Sequence, residues 1–386
     1  MNIFNQESYS MRIYFLLLML AAAQFSCGQS QSKKNSEKYL LVGTYTSGKS
    51  DGIYVYKFNT QTGDFSQVSS AKTDNPSFIT VSPNEKYVYA VAENGGDKGS
   101  IAAFSFDRKE GKLTMLNKQP SGGDHPCYVN IDKKGKWVTC GNYTGGSLAV
   151  FPVASDGSLK PAVEVIKHEG RSANSQRQEK AHVHSTIFSP DDKYLFVPDL
   201  GMDKVMIYSL DKNTGKLSAA NPAFVATEPG SGPRHFTFHP SGKYAYLIEE
   251  MSGKVNAYSY NGNGQLTSIQ SISAIPDNYT GSVGSADIHV SPDGKFLYAS
   301  NRGESNTIAI FSIGEDGKLQ VVGHQSTLGK TPRNFNFDPT GNFLLVANQN
   351  SNNIVIFKVD KKTGLLSPLS KQIEVPNPVC VKWASK

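Results

Sequence analysis

The sequence predicts an all-β chain, a seven-bladed β-propeller with four short strands in each blade. Three observations carry this. One phrase recurs about every 50 residues: a strand opening on a Pro or polar pair, a Ser-Pro or Asp turn, then an apolar, aromatic-rich strand. Most copies run on through an alternating apolar strand into a Gly-x-Leu turn. The final copy stops after one strand, and its missing strands stand at the N-terminus. Four-stranded units at this period are propeller blades.

The blades follow in order. Blade 1 reads Pro76-Ser77-Phe78, Ser82-Pro83, Tyr87-Val88-Tyr89, Ile101-Ala102-Ala103-Phe104 and Gly111-Lys112-Leu113. Blade 2 has Pro126, Asp132, Trp137 and Gly157-Ser158-Leu159, and blade 3 has His184, Ser189-Pro190, Tyr194-Leu195-Phe196 and Gly215-Lys216-Leu217. Blade 4 has Pro233-Arg234, His239-Pro240, Tyr244-Ala245-Tyr246 and Gly264-Gln265-Leu266. Blade 5 has Asp287, Ser291-Pro292, Phe296-Leu297-Tyr298, Ile308-Ala309-Ile310-Phe311 and Gly317-Lys318-Leu319; blade 6 has Pro332-Arg333, Asp338-Pro339 and Phe343-Leu344-Leu345. Blade 7 joins residues 377–383 to residues 39–45, 53–56 and 64–65, which closes the ring and leaves no long edge strand. Length alone, at about 150 residues per domain, allows two or three domains. With no Pro/Gly-rich linker between copies, the repeats make residues 38–386 one domain.

Charged residues are 19% of the chain, and 35 Gly and 18 Tyr suit short strands and tight turns. The formal charge of +6 is mild for 386 residues and no basic cluster is interleaved with aromatics, which excludes a nucleic-acid partner. Residues 1–27 are an address. Met11-Arg12 precedes an apolar run over 13–23, too short to span a bilayer comfortably, and Gln24-Phe25-Ser26-Cys27 follows. This resembles a bacterial lipoprotein signal with Cys27 acylated, although Gln24 stands where an aliphatic residue is usual; an ordinary secretory signal is the alternative. Residues 28–37 are a polar linker. The expected location is the cell envelope, lipid-anchored or periplasmic, with the membrane contacted through lipid alone. Cys127, Cys140 and Cys380 read as buried core thiols, with a Cys127–Cys140 bridge as the alternative in an oxidising compartment.

Aligning the copies on the Ser-Pro position exposes two polar columns. The residues opening the inner strands include His184, Arg234, His235, Asp287, Arg333 and Asn334; those ending the second strands include Glu93, Asn142, Asp199, Glu249, Glu250, Asn301, Arg302 and Gln349. Antiparallel pairing brings both columns to one mouth of the channel. The remaining inner-strand columns are mainly apolar or small, so charge is expected to concentrate on one rim, contributed largely by blades 3 to 6. Asp and Asn there can simply cap turns; inner-strand arginines cannot, and they suit a phosphate or carboxylate. His182 and His184 share a face and could begin a metal site with Asp199 or Glu250, but the arginines oppose a cation, so no metal is expected. Insertions at 168–180, with Arg171, Arg177 and Gln178, and at 276–285 should overhang the same mouth.

These motifs, Ala181-His182-Val183-His184-Ser185, Gly232-Pro233-Arg234-His235, Glu250, Ser300-Asn301-Arg302-Gly303 and Thr331-Pro332-Arg333-Asn334-Phe335, resemble the seven-bladed propeller lactonase family across residues 38–386. That family includes cytoplasmic 6-phosphogluconolactonases and fungal carboxy-cis,cis-muconate cyclases. The resemblance implies a catalytic group of His184, Arg234, Glu250 and Arg302, with Glu249 leaving open which acid is functional. His182, Asp199, His235, Asp287, Arg333 and Gln349 are the expected substrate contacts. The expected reaction is cofactor-free hydrolysis of a sugar or sugar-acid lactone; a sugar-phosphate lactone made in the cytosol would not meet a protein at the envelope address, so the family's fold and chemistry are carried over and its substrate is not. Water would be activated by His184 or Glu250, and no Gly-x-Ser-x-Gly elbow suggests a serine acyl-enzyme. The alternatives are a non-catalytic propeller binding sugar acids or a protein, and a cyclase or isomerase; no protein partner is identified. As rim residues, these side chains are expected to contribute little to stability.

Overall fold

The computed structural model describes residues 36–386, so the signal reading, Cys27 and most of the linker lie outside the described residues. Seven four-stranded antiparallel sheets form the blades. The closing blade has the order Pro378–Ser385, Glu37–Thr44, Gly52–Asn59, Phe65–Lys72. Leu40 pairs with Trp383 and Val42 with Val381, as the split repeat requires.

The recurring phrase has a mechanical explanation. In five blades the Ser or Asp before the second strand turns its side-chain oxygen onto the backbone N–H of the aromatic five residues later. Ser82 Oγ accepts from Tyr87 at 3.0 Å, Asp132 Oδ1 from Trp137 at 2.7 Å, Ser291 Oγ from Phe296 at 3.0 Å and Asp338 Oδ1 from Phe343 at 2.7 Å. Each bond fixes the turn between the first two strands. The Gly-x-Leu turns tie adjacent blades together. Gly157 has φ +85°, and a Cβ there would lie 2.1 Å from the Tyr87 ring of the preceding blade. The nearby Tyr89 hydroxyl donates to Gly157 O at 3.0 Å, and Tyr246 and Tyr298 repeat the tie to Gly317 and Gly364. The aliphatic and aromatic residues of the middle strands fill the spaces between blades, with Leu41, Val55, Ala102, Phe196, Phe311 and Phe357 essentially inaccessible.

The inner strands carry one irregularity that matters for the site. Their register slips by a residue between Pro126 and Tyr128, Pro233 and His235, and Pro332 and Asn334. A bulge re-aims the extra side chain. Arg234 and His235, neighbours that a regular strand would send to opposite faces, therefore both reach the polar groups of the channel.

Candidate active site

The mouth is assembled where the two columns pair. Pro233 lies opposite Glu249, Ser285 opposite Asn301 and Pro332 opposite Asn348. At its centre is Glu250. Its Oε2 accepts from Arg234 Nε at 2.9 Å and lies 2.9 Å from Arg302 Nη2, while Oε1 accepts from Arg177 Nη2 at 2.6 Å. Burial alone would push the Glu250 carboxyl up, but Arg302 and Arg234 outweigh it and hold the group well below the usual carboxylate range. Glu249 takes no part: it turns into blade 4, where Ser252 and Asn256 each donate to it at 2.5 Å. The two acids that the sequence held side by side are thus placed differently, and only Glu250 joins the arginines.

His184 Nε2 stands 3.9 Å from Glu250 Oε2, and its Nδ1 is 3.8 Å from the Cys127 sulfur. Burial, with Arg234 and His235 nearby, lowers its pKa well below the usual histidine value, so the ring is neutral at pH 7. Arg234 is 1% exposed and also donates to Ala286 O at 2.6 Å; burial, then Arg302 and Arg333, lower its pKa to about 10, still protonated at neutral pH. Arg302 is anchored to the second insertion through Gly284 O at 2.9 Å. The first insertion supplies Arg177, which also donates to the Tyr143 hydroxyl at 3.2 Å and covers Glu250. Both insertions therefore reach the mouth. The ion pair of Arg177 with Glu250 was not legible from the sequence, because it spans 73 residues.

Arg333 makes no side-chain hydrogen bond or ion pair among the described residues. Its guanidinium lies 5.6 Å from the Tyr45 ring centre, and Tyr45 donates to Glu93 at 2.9 Å. Neither Tyr45 nor Glu93 stood among the expected contacts; Glu93 lies in the second-strand column and Tyr45 follows the equivalent strand of the closing blade, Glu37–Thr44. Gln349 opens a short 3-10 turn at this end, its backbone N–H bonded to Thr331 O at 2.9 Å.

The other expected contacts are committed to internal partners. Asp199 is fully buried, accepting from the backbone of His182 at 2.8 Å and Gly201 at 3.0 Å, and lying 2.7 Å from His168 Nδ1. His182 stacks on Tyr143 at 4.6 Å and bonds its carbonyl at 3.0 Å. His235 and Asp287 sit deeper in the channel, 2.7 Å apart, with His289 and Asn334 on the second Asp287 oxygen. Among the described residues no three His, Cys, Asp or Glu side chains are grouped to hold a metal ion. Cys127, Cys140 and Cys380 are buried free thiols, so the Cys127–Cys140 bridge is not formed.

One expectation needs correction. The site residues are not peripheral to the core, since Arg234 is among the largest fully buried side chains. The error has one origin: burial inside the ring depends on neighbouring blades, which a strand read alone does not show. Polar groups also occur elsewhere in the channel, where His289 and Lys382 line a cavity that none of His184, Arg234, Glu250 or Arg302 lines.

The family profile described as "Lactonase, 7-bladed beta-propeller" matches residues 39–383. The chain belongs to the seven-bladed β-propeller lactonase family. A Formosa agariphila lactonase relative, named 6-phosphogluconolactonase, is 45% identical over 345 residues, 87% of this chain and 96% of its own. The Bacillus subtilis protein of the same name is 41% identical over 350 residues, covering 90% and 98%. Among solved lactonase structures, the periplasmic gluconolactonase of Pseudomonas aeruginosa superposes with a TM-score of 0.86 at 39% identity, over 91% of this chain and 99% of that one.

Proposed function

We propose that this protein hydrolyses a sugar or sugar-acid lactone at the Glu250 mouth without a metal, and does so in the cell envelope. The arrangement of Arg177, Arg234 and Arg302 on one buried carboxylate beside a neutral imidazole carries the reading. His184, rather than Glu250, is the base, because both Glu250 oxygens are engaged by guanidinium groups and its basicity is low.

In this reading neutral His184 takes a proton from water as the oxygen attacks the lactone carbonyl. The oxyanion forms against Arg234 and Arg302, whose remaining N–H groups are preorganised by Glu250, Ala286 O and Gly284 O. Glu250 offsets the charge on the resulting imidazolium. Collapse of the tetrahedral intermediate breaks the ring C–O bond, and the imidazolium returns the proton to the leaving oxygen, releasing a hydroxy acid. Arg333, beside Tyr45 and without an ion pair among the described residues, holds a phosphate or carboxylate substituent of the substrate. Acylation of Cys27 would provide the anchor, and the periplasmic relative supports a substrate available outside the cytosol.

The test is to titrate acid released from a panel of phosphorylated and unphosphorylated sugar lactones, with wild type and Arg302→Ala. Hydrolysis of a lactone by the wild type, reduced about 10²-fold or more in the variant, supports the site. A lactone hydrolysed equally well by both overturns it; Arg-dependent sugar-acid binding without hydrolysis replaces the enzyme by a binding propeller.

A further inference from the structure

Below the arginine cluster the channel is crossed by aromatic rings. Phe78 and Tyr128 stack at 4.1 Å, and both meet the His235 ring edge-on at 5.9 and 5.3 Å. On the far side of these rings lies a cavity of about 410 Å³, within the usual size of small-molecule sites. It is lined by inner-strand residues of five blades together with Lys382 of the closing blade. None of the catalytic group lines it.

Its polar groups are unusually complementary to one ligand class. Asp287 occupies His235 Nδ1 at 2.7 Å and His289 Nε2 at 2.9 Å. With both protons held by the carboxylate, His235 Nε2 and His289 Nδ1 remain as acceptors. Neither nitrogen has a hydrogen bond among the described residues. The Tyr128 hydroxyl likewise has none. The Lys382 ammonium has no ion pair there and lies 4.7 Å from the Phe78 ring centre. The cavity thus combines the Lys382 ammonium, a hydroxyl donor, two imidazole acceptors and an aromatic floor; Lys133 and Asp192, which also line it, are engaged by Pro190 O and by the Lys133 backbone N–H at 3.1 Å. Imidazole acceptors suit ligand hydroxyls, the ammonium suits a carboxylate, and Asp287 itself is already satisfied by His235, His289 and Asn334.

We propose that this far end of the channel is a second binding site, for a small polyhydroxy carboxylate, held by Lys382, His289 and Tyr128. It is separate from the hydrolytic mouth and does not depend on lactone hydrolysis there.

The probe is gluconate, measured by isothermal titration calorimetry on the full chain, with neutral sorbitol and acetate as controls. The background is Arg302→Ala/Arg333→Ala, which removes an oxyanion donor and the carboxylate-holding arginine of the mouth while leaving the fully buried Arg234 in place. Gluconate should bind this double variant with a stoichiometry of one, and sorbitol or acetate at least about tenfold more weakly, since each lacks one half of the recognition. Adding Lys382→Met should weaken gluconate about tenfold or more, and Tyr128→Phe, a smaller change at the same cavity, should weaken it measurably. Circular dichroism checks that each variant is folded. In an otherwise wild-type chain Lys382→Met should leave hydrolysis at the mouth unchanged, so failure of the two proposals can be told apart. Absence of gluconate binding in the folded double variant, or binding indifferent to both Lys382→Met and Tyr128→Phe, overturns the proposal.

Discussion

Replacing Glu250 by Gln keeps the size of the side chain but removes the charge on which three guanidinium groups converge. Arg234 and Arg302 are largely buried, with side-chain exposures of 1% and 15%, and breaking a buried ion pair costs about 3–5 kcal/mol. Arg177 is 46% exposed, so solvent screening limits its share to about 1 kcal/mol or less. The variant should therefore lose about 3–5 kcal/mol, a large part of the roughly 5–15 kcal/mol that holds a domain folded. Turnover should fall about 10²-fold or more, because the oxyanion donors lose their common anchor. Urea unfolding and initial rates on a hydrolysed lactone measure the two effects. The pH dependence supplies a signature. Burial raises the Glu250 carboxyl, Arg302 and Arg234 lower it further, and its folded pKa ends well below 4.5. The folded pKa is thus depressed, and the linked stability is complete above the unfolded value and lost as pH falls through the folded one. The gap between wild type and Glu250→Gln should stay constant down to about pH 4.5 and close only below it. Inorganic phosphate should stabilise the variant more than the wild type by replacing the missing anion. A variant with wild-type unfolding midpoint and turnover would refute the view that Glu250 organises the arginines.

Three further outcomes follow from the same geometry. His184 titrates well below 6.5 and acts as a base only when neutral, so kcat/KM should be flat above pH 6.5 and fall with acid; His184→Gln should remove that limb and lower kcat/KM about 10²-fold or more, read from pH–rate profiles. Arg333→Ala should raise KM with little change in kcat, because it removes ground-state binding, and equal losses in kcat and kcat/KM would instead assign it to the transition state. Cys27→Ser should move the protein from the membrane to the soluble fraction on cell fractionation, whereas a wild type already soluble and starting beyond Cys27 would favour the secretory signal.

By itself the sequence determined the blade number, the split closing blade and the end of the channel at which the candidate residues gather. These follow from short-range rules: a Ser or Asp caps the N–H five residues on, a glycine yields to an aromatic ring, and antiparallel pairing brings Pro233 beside Glu249. Only the tertiary structure decided what each polar residue does there. The sequence left open which of Glu249 and Glu250 is functional and read Asp199 and Asp287 alike as substrate contacts, yet one acid gathers arginines, two serve their own blades and one joins three side chains across the channel. Those differences come from bulges that shift side-chain direction by one residue and from partners such as Arg177 and Glu250, 73 positions apart. Closing the ring brings such residues together and removes them from water, and no local periodicity carries that information.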